Sequence, residues 1–282
     1  MVPMGVRVRG LVVASHAGPT AVVTLLTLSL ATGIEAGTLT TVLVTAAVLC
    51  GQLSVGWSND WLDAARDARV GRSDKPTVVG VVGASELRTA AFVALAACVV
   101  LSYANGWVAG TLHVLAVASA WSYNVRLKST VLSWLPYAVS FGLLPAFIVA
   151  APDDGRVVAA WTVAAAALLG VGAHLANVLP DIEDDAATGV RGLPHRLGRR
   201  RVAVLAPLVL LAASVVILVG PSSSPGLPRI AFASLTVVMA VAAGVVGARW
   251  PRSRLPFGLS MGVAALCVVE LVIVAPSVAL PG

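Results

Sequence analysis

The sequence predicts an all-α, polytopic membrane protein, and three observations predict it. Apolar stretches long enough to cross a bilayer recur along the whole chain, charged side chains are scarce, and nearly all the basic ones fall between alternate stretches. Of the 282 residues 58% are hydrophobic and 11% charged, with a mean hydropathy of +0.93. Ordinary soluble domains carry roughly 25% charged residues, so a soluble fold is excluded.

A helix of about 20 apolar residues crosses a hydrocarbon layer of roughly 30 Å. Nine stretches qualify, at 10–32, 37–57, 87–105, 107–125, 131–151, 157–178, 202–220, 229–248 and 256–277. Arg7 and Arg9 give the first the look of a secretory signal, but it is too long and lacks a convincing cleavage site, so it reads as a retained helix. Cys50, Cys98 and Cys267 lie singly inside apolar stretches, which indicates packing and neither a disulfide framework nor a metal knuckle.

With the amino terminus in the cytoplasm, nine crossings place the inner loops near 58–88, 123–130, 180–201 and 249–255. The amino-terminal end and these loops hold 17 of the 19 Lys and Arg residues, and Arg156 and Arg229 alone fall outside. Such a split is the positive-inside pattern. The net charge of +6 is therefore an orientation signal, with no nucleic-acid partner implied. Arg199, Arg200 and Arg201 suit anionic membrane lipids. The Ala, Val and Arg richness is that of a GC-rich bacterium, in which the membrane is the plasma membrane.

The acids are as concentrated as the bases. Asp60, Asp63, Asp67, Asp74 and Glu86 lie in one inner loop, and Asp181, Glu183, Asp184 and Asp185 in another, nine of the 13. Asn59, Asp63 and Asp67 are spaced i, i+4, i+8, which on a helix lines an amide and two carboxylates along one face. Asn177, Asp181 and Asp185 repeat that spacing, with Pro180 set to break the helix. The repeat divides a single domain, 1–282, into two halves, about 1–130 and 131–282.

Carboxylates in such rows repel one another, so the rows need a cationic partner. Mg²⁺ is the natural one, because it takes hard oxygens and is usually held by one or two carboxylates together with substrate phosphates. Two facing rows then hold a diphosphate through Mg²⁺, with Asp60 and Asp184 as adjoining donors. Arg72, Lys75, Lys128 and Arg191 stand beside the rows, placed to bind the same oxygens and stabilise a leaving group. Asp74 and Glu183 read as outer or solvated groups.

The run Asn59-Asp60-Trp61-Leu62-Asp63-Ala64-Ala65-Arg66-Asp67, followed by Arg72-Ser73-Asp74-Lys75-Pro76, resembles the first signature of the UbiA superfamily of intramembrane prenyltransferases. Asp181-Ile182-Glu183-Asp184-Asp185 resembles the second, and Tyr123-Asn124-Val125-Arg126-Leu127-Lys128 is similar to the Tyr-Ser-x-x-Leu-Lys run that ends the family's fourth helix. After the first signature the family commonly has Arg-Thr-x-x-Arg-Pro; here the stretch is one residue shorter, with Lys75 for the second arginine. The likeness covers essentially the whole chain. It implies nine helices around a central cavity, a cap of the two acidic loops on the cytoplasmic side, and an opening toward lipid. It also implies Mg²⁺-dependent transfer of an isoprenyl group from a prenyl diphosphate to a hydrophobic acceptor, aromatic acceptors included. Carried over by position, Asn59, Asp63, Asp67, Asp181 and Asp185 form the Mg²⁺ and diphosphate set. Arg72, Lys75 and Lys128 contact diphosphate, and Tyr123 sits close to it.

A dry apolar chamber suits this chemistry, because ionising the diphosphate leaves a carbocation that water would quench. Trp57, Trp61, Trp121, Tyr123, Trp134 and Tyr137 are aromatic candidates for facing it, or for anchoring at the interface. Glu270, inside the last stretch, reads as a pairing residue, and His174 as a packing residue or a base toward the acceptor. His195 is a phosphate candidate, while His16 and His113 are assigned nothing. Three alternatives compete: a terpene cyclase of the same fold, transfer to a sugar phosphate or glycerol phosphate lipid, and an ion-coupled transporter. The last is disfavoured by acids that lie at one membrane face.

Overall fold

A computed structural model describes residues 2–282. The helices run α1 Met4–Ala14, α2 Ala17–Gly33, α3 Thr38–Arg69, α4 Ala84–Tyr103, α5 Trp107–Val125, α6 Leu135–Ala150, α7 Ala160–Val178, α8 Ile182–Ala187, α9 Leu193–Leu197, α10 Arg199–Val219, α11 Leu227–Arg249 and α12 Leu255–Ile273. A helix thus stands at each of the nine apolar stretches. Only six, α3, α4, α7, α10, α11 and α12, are long and apolar enough to cross a membrane, and the pair α1–α2 makes a seventh if it is one broken span. The two halves of that pair meet at 67°, where His16 takes a left-handed φ of 53°. The 16-residue α6 is shorter than a span, and α5 is diluted by Trp, Ser, Tyr and Asn near its end. The chain is a multi-pass membrane protein.

Helix α3 has 32 residues, about 48 Å at 1.5 Å per residue, against a hydrocarbon layer of roughly 30 Å. Its last turns, which carry Asn59 to Asp67, therefore project beyond the apolar part as one continuous helix. The second acidic segment behaves differently. Helix α7 ends at Val178, and Asp181 begins α8 after the break at Pro180, as that proline leads one to expect.

The helices close a ring in which α2 packs on α3, α3 on α5, α5 on α6, α6 on α7, α7 on α10 and α12, and α12 back on α2. Helix α4 covers α3 from outside, and α11 packs across α10 and α12. A two-residue antiparallel ladder, β1 Val157–Val158 with β2 Ala279–Leu280, fastens the end of the chain to the α6–α7 connection. The core is rich in Ala, with buried Gly such as Gly51, Gly56, Gly170 and Gly172 on the helices, as expected where lipid supplies no hydrophobic drive between helices and close van der Waals packing must hold them. At Gly56 a Cβ would stand 2.6 Å from the Ser15 carbonyl oxygen, so only glycine lets α3 meet the α1–α2 corner.

Gly56→Ala is expected to push that corner off α3 and destabilise the detergent-solubilised protein by about 1–3 kcal/mol. Thermal unfolding of purified protein measures it, and an unchanged midpoint would mean the corner is free to shift.

Candidate active site

The projecting end of α3 buries three carboxylates. Asp60, Asp63 and Asp67 are 1%, 7% and 2% exposed, an arrangement that stands only if each charge is compensated. Lys75 Nζ donates to Asp60 Oδ1 at 2.7 Å, and His16 Nε2 lies 3.1 Å from the same oxygen. Asp63 accepts from Arg66 Nη2 at 2.9 Å, one turn on, and from Lys128 Nζ across the interface with the α5–α6 connection. Arg66 also lies 3.5 Å from Asp67 Oδ1, while Asp67 Oδ2 is buried without a partner.

Two asparagines hold α5 against this row. Asn124 Nδ2 donates to the Val55 carbonyl and to Ser58 Oγ, both at 2.9 Å, and Asn59 Nδ2 donates to Asn124 Oδ1 at 3.2 Å. Trp121 Nε1 adds a bond to Ser54 Oγ at 3.2 Å. The contacts hold this end of α5 on α3, and Lys128, just beyond α5, reaches Asp63 from there.

The two acidic clusters meet through one side chain. Arg72 grips Asp74 with both prongs, Nε at 2.9 Å and Nη2 at 3.0 Å, and its Nη1 reaches Asp181 Oδ2 of the other cluster at 3.3 Å. These hydrogen bonds hold the Asp74 carboxyl below the usual carboxylate range, so the outer group of the sequence reading anchors the bridging arginine. Arg199 likewise holds Glu183 low by hydrogen bonding to it. Asp185 lies 3.4 Å from His195 Nε2 without hydrogen-bond geometry.

The repeated spacing does not make a repeated row. Because the helix breaks at Pro180, Asn177 is left exposed on the last turn of α7, and Asp184 and Arg191 are exposed too, with no ion pair among the described residues. Asp60, Asp63, Asp67, Lys75, Lys128, Arg72 and Asp181 are the expected residues that come together.

Behind the acids lies an aromatic cluster. Tyr123 meets Tyr137 edge-on at 5.1 Å and His174 at 5.5 Å, and Tyr137 stacks on His174 at 4.6 Å. His174 Nε2 is 3.1 Å from Ser133 Oγ, which also accepts the Leu193 N–H at 3.0 Å, so one serine links α7, the α5–α6 connection and the segment after the second cluster. Gly192 permits this approach, since a Cβ there would stand 2.6 Å from the Lys128 carbonyl oxygen. Further into the bundle an open cavity lies between α2, α3, α5 and α6.

His16, given no role from sequence, proves to be a partner of Asp60, and Asn124 and Ser133 were overlooked as organisers. Asn124 carried a signal, an amide inside an apolar helix, whereas His16 gained its role only from the sharp α1–α2 corner. Glu270 pairs as expected, with Thr236 Oγ1.

Among the described residues no three His, Cys, Asp or Glu side chains converge on a metal position. The donor chemistry nevertheless fits Mg²⁺ shared with a diphosphate, which needs only one or two carboxylates from each side. The donors are hard oxygens, and Asp67 Oδ2 is buried with its lone pairs unused.

Residues 20–270 match the family model described as the UbiA prenyltransferase family. A segment of 186 residues is 34% identical to the bacteriochlorophyll synthase 33 kDa chain of Cereibacter sphaeroides, covering 61% of this chain and 60% of the relative. The chain thus aligns with less than two thirds of that relative's length. Its fold is similar to a UbiA homologue from Archaeoglobus fulgidus bound to GPP and Mg²⁺, with a TM-score of 0.69, 17% identity and coverage of 95% of this chain and 100% of the other. It is similar also to the apo structure of a UbiA homologue from Aeropyrum pernix, with a TM-score of 0.69, 21% identity and coverage of 89% and 97%. At these identities the structural likeness is one of fold.

Lys75→Ala leaves Asp60 with His16 alone and is expected to destabilise the protein by about 3 kcal/mol. The double variant Asp60→Asn with Lys75→Met removes both charges and should lose less than the two single changes added together. Denaturant unfolding in detergent reads the coupling; strict additivity would show the pair to be independent.

Proposed function

The chain belongs to the UbiA prenyltransferase family, and from that premise we propose that it transfers an isoprenyl group from a prenyl diphosphate to a lipophilic acceptor, aromatic acceptors included, in a Mg²⁺-dependent reaction within the membrane. The observation that carries this reading is the contact from Arg72 to Asp181, 109 residues on, which brings the two acidic clusters to one end of the bundle, beside Lys128. The GPP and Mg²⁺ bound by the Archaeoglobus fulgidus homologue support the donor class, and the bacteriochlorophyll synthase relative supports prenyl transfer.

The site is neutralised by its own residues. Lys75, Lys128 and Arg66 are paired with carboxylates of the first row, and Arg72 with the second cluster. With Mg²⁺ and a diphosphate bound, the carboxylates would turn from these pairs to hold the metal, and Lys75, Lys128, Arg66 and Arg72 would be freed for phosphate oxygens. Asp63, Asp67, Asp181 and Asp185 are the residues that would hold Mg²⁺, with Asn59, Asp60 and Asp184 as adjoining donors. Bound there, the ion supplies charge neutralisation to the leaving diphosphate. Lys128, Arg72 and Lys75 bind the diphosphate oxygens on which negative charge grows as the allylic C–O bond breaks. Asn177 and Arg191, exposed at the rim, join only if the second cluster closes over the donor. Tyr123 stands between that end and the apolar interior. The acceptor forms the new bond to the allylic carbon and gives up a proton.

Residues 1–282 form one catalytic domain of two pseudo-repeated halves. The placement of 17 of 19 basic residues supports a cytoplasmic amino terminus and active-site loops at the plasma membrane.

Purified protein incubated with geranyl, farnesyl and geranylgeranyl diphosphates and membrane extract should release diphosphate and form extractable products only with Mg²⁺, and chelation should abolish turnover. A variant carrying Asp63→Ala and Asp181→Ala should lose at least about 100-fold in rate, comparable to removing one oxyanion-stabilising group. Equal release with and without Mg²⁺, or an unimpaired variant, would sink the proposal.

A further inference from the structure

The cavity between α2, α3, α5 and α6 is walled by Val23, Val48, Val55, Val117 and Phe141, and three polar side chains break that wall: Ser140, whose hydroxyl donates to the Ala116 carbonyl at 2.7 Å, and Gln52 and His113. They lie deep. Gln52 is seven residues before Asn59 on α3, about 10 Å along the axis, and His113 is ten before Tyr123 on α5, about 15 Å.

The His113 ring is held rigidly. It stacks on Phe147 with centroids 4.4 Å apart and planes within 8°, and its Nδ1 lies 2.7 Å from Ser102 Oγ. Ser102 has one hydroxyl proton, and donates it to the Cys98 carbonyl at 2.5 Å. The serine therefore accepts from His113, which places the ring proton on Nδ1 and leaves a lone pair on Nε2. The Nε2 atom makes no hydrogen bond among the described residues; it lies beside Gly51, where a Cβ would stand 3.5 Å from it, and both residues line the cavity. Gln52 makes no hydrogen bond among the described residues, which leaves its amide free to donate and accept.

An isoprenyl tail lying here would leave both groups unpaired, an unfavourable arrangement in an apolar site. A carboxylate or phosphate fits no better, because no Lys or Arg lines the cavity and the Nε2 lone pair repels an anion. A neutral hydroxyl satisfies both, its proton going to Nε2 and its oxygen accepting from the Gln52 amide. We propose that Gln52 and His113 form a hydrogen-bonding seat for an uncharged hydroxyl group on the hydrophobic acceptor, selecting neutral phenolic or alcoholic acceptors over carboxylated or phosphorylated ones. The assignment of the occupant as acceptor rests on the prenyltransferase reading; the seat itself rests on the cavity.

Equilibrium binding of tritiated naphthol, its methyl ether and naphthoate to the full chain in lipid nanodiscs tests the seat without requiring turnover. Naphthol should bind at least about tenfold tighter than either analogue, the scale of one hydrogen bond between well-placed neutral groups. His113→Leu and Gln52→Leu should each bring the naphthol-to-ether ratio close to one while ether binding persists. Persistent ether binding shows that the variant is folded, and the glutamine variant serves if the histidine variant is not. Equal binding of naphthol and ether to the wild type, tighter binding of naphthoate, or a ratio that survives both substitutions overturns the seat. Absence of prenyl transfer with the naphthol preference intact would sink the transferase reading and leave the seat standing, whereas transfer without that preference sinks the seat alone.

Discussion

Three carboxylates withdrawn from water at the end of one long helix are the constraint around which the rest is arranged. Asp60, Asp63 and Asp67 lie within eight residues, and their mutual repulsion and desolvation are offset by cations, most of them brought from elsewhere. Lys75 arrives by way of the loop after α3, Lys128 by the α5–α6 connection, and Arg66 from the same helix. The α1–α2 corner contributes His16 and is itself admitted by Gly56. Loop conformation, helix contacts and corner geometry are thus all consequences of keeping one set of charges compensated.

The same arrangement explains how one end of a membrane bundle holds anionic chemistry. A row whose carboxylates are paired at rest is stable enough to bury, and on the proposed reading those pairs would be traded for contacts to a metal and a diphosphate. The second cluster is built more loosely. Its acids are on a short helix after a proline break, half of them exposed, and Arg72 joins it to the first through a single bond to Asp181. The first is buried and multiply paired, the second half-exposed and singly joined, an asymmetry between two segments that share the same spacing.

Separation along the helix axes gives the remaining organisation. Charge chemistry occupies one end, the Tyr123, Tyr137 and His174 cluster follows, and the apolar cavity with Gln52 and His113 lies below. A reactive carbocation formed at the top would face hydrocarbon and aromatic rings in place of water. The histidine at the bottom is locked by Ser102 and Phe147, so its hydrogen-bonding character is set before any ligand arrives.

What the sequence determined by itself is everything carried by short-range periodicity and composition. The nine apolar stretches, the first acidic row on a continuous helix, the break at Pro180 and the segregation of the bases are all local, because helix geometry relates residues within a few turns. Tertiary structure alone decided which charges are buried and who compensates them. Apart from Arg66 one turn on, the partners of Asp60 and Asp63 are 44, 15 and 65 residues away, and no local pattern encodes such a pairing. It decided also that identical spacing at Asn177 would not give a second row, and that six or seven of nine apolar helices are long and apolar enough to span. His16 and His113 looked alike in sequence, each alone in an apolar run. One became a partner of a buried carboxylate and the other a wall of the cavity, because a side chain's role is set by the neighbours that packing brings to it.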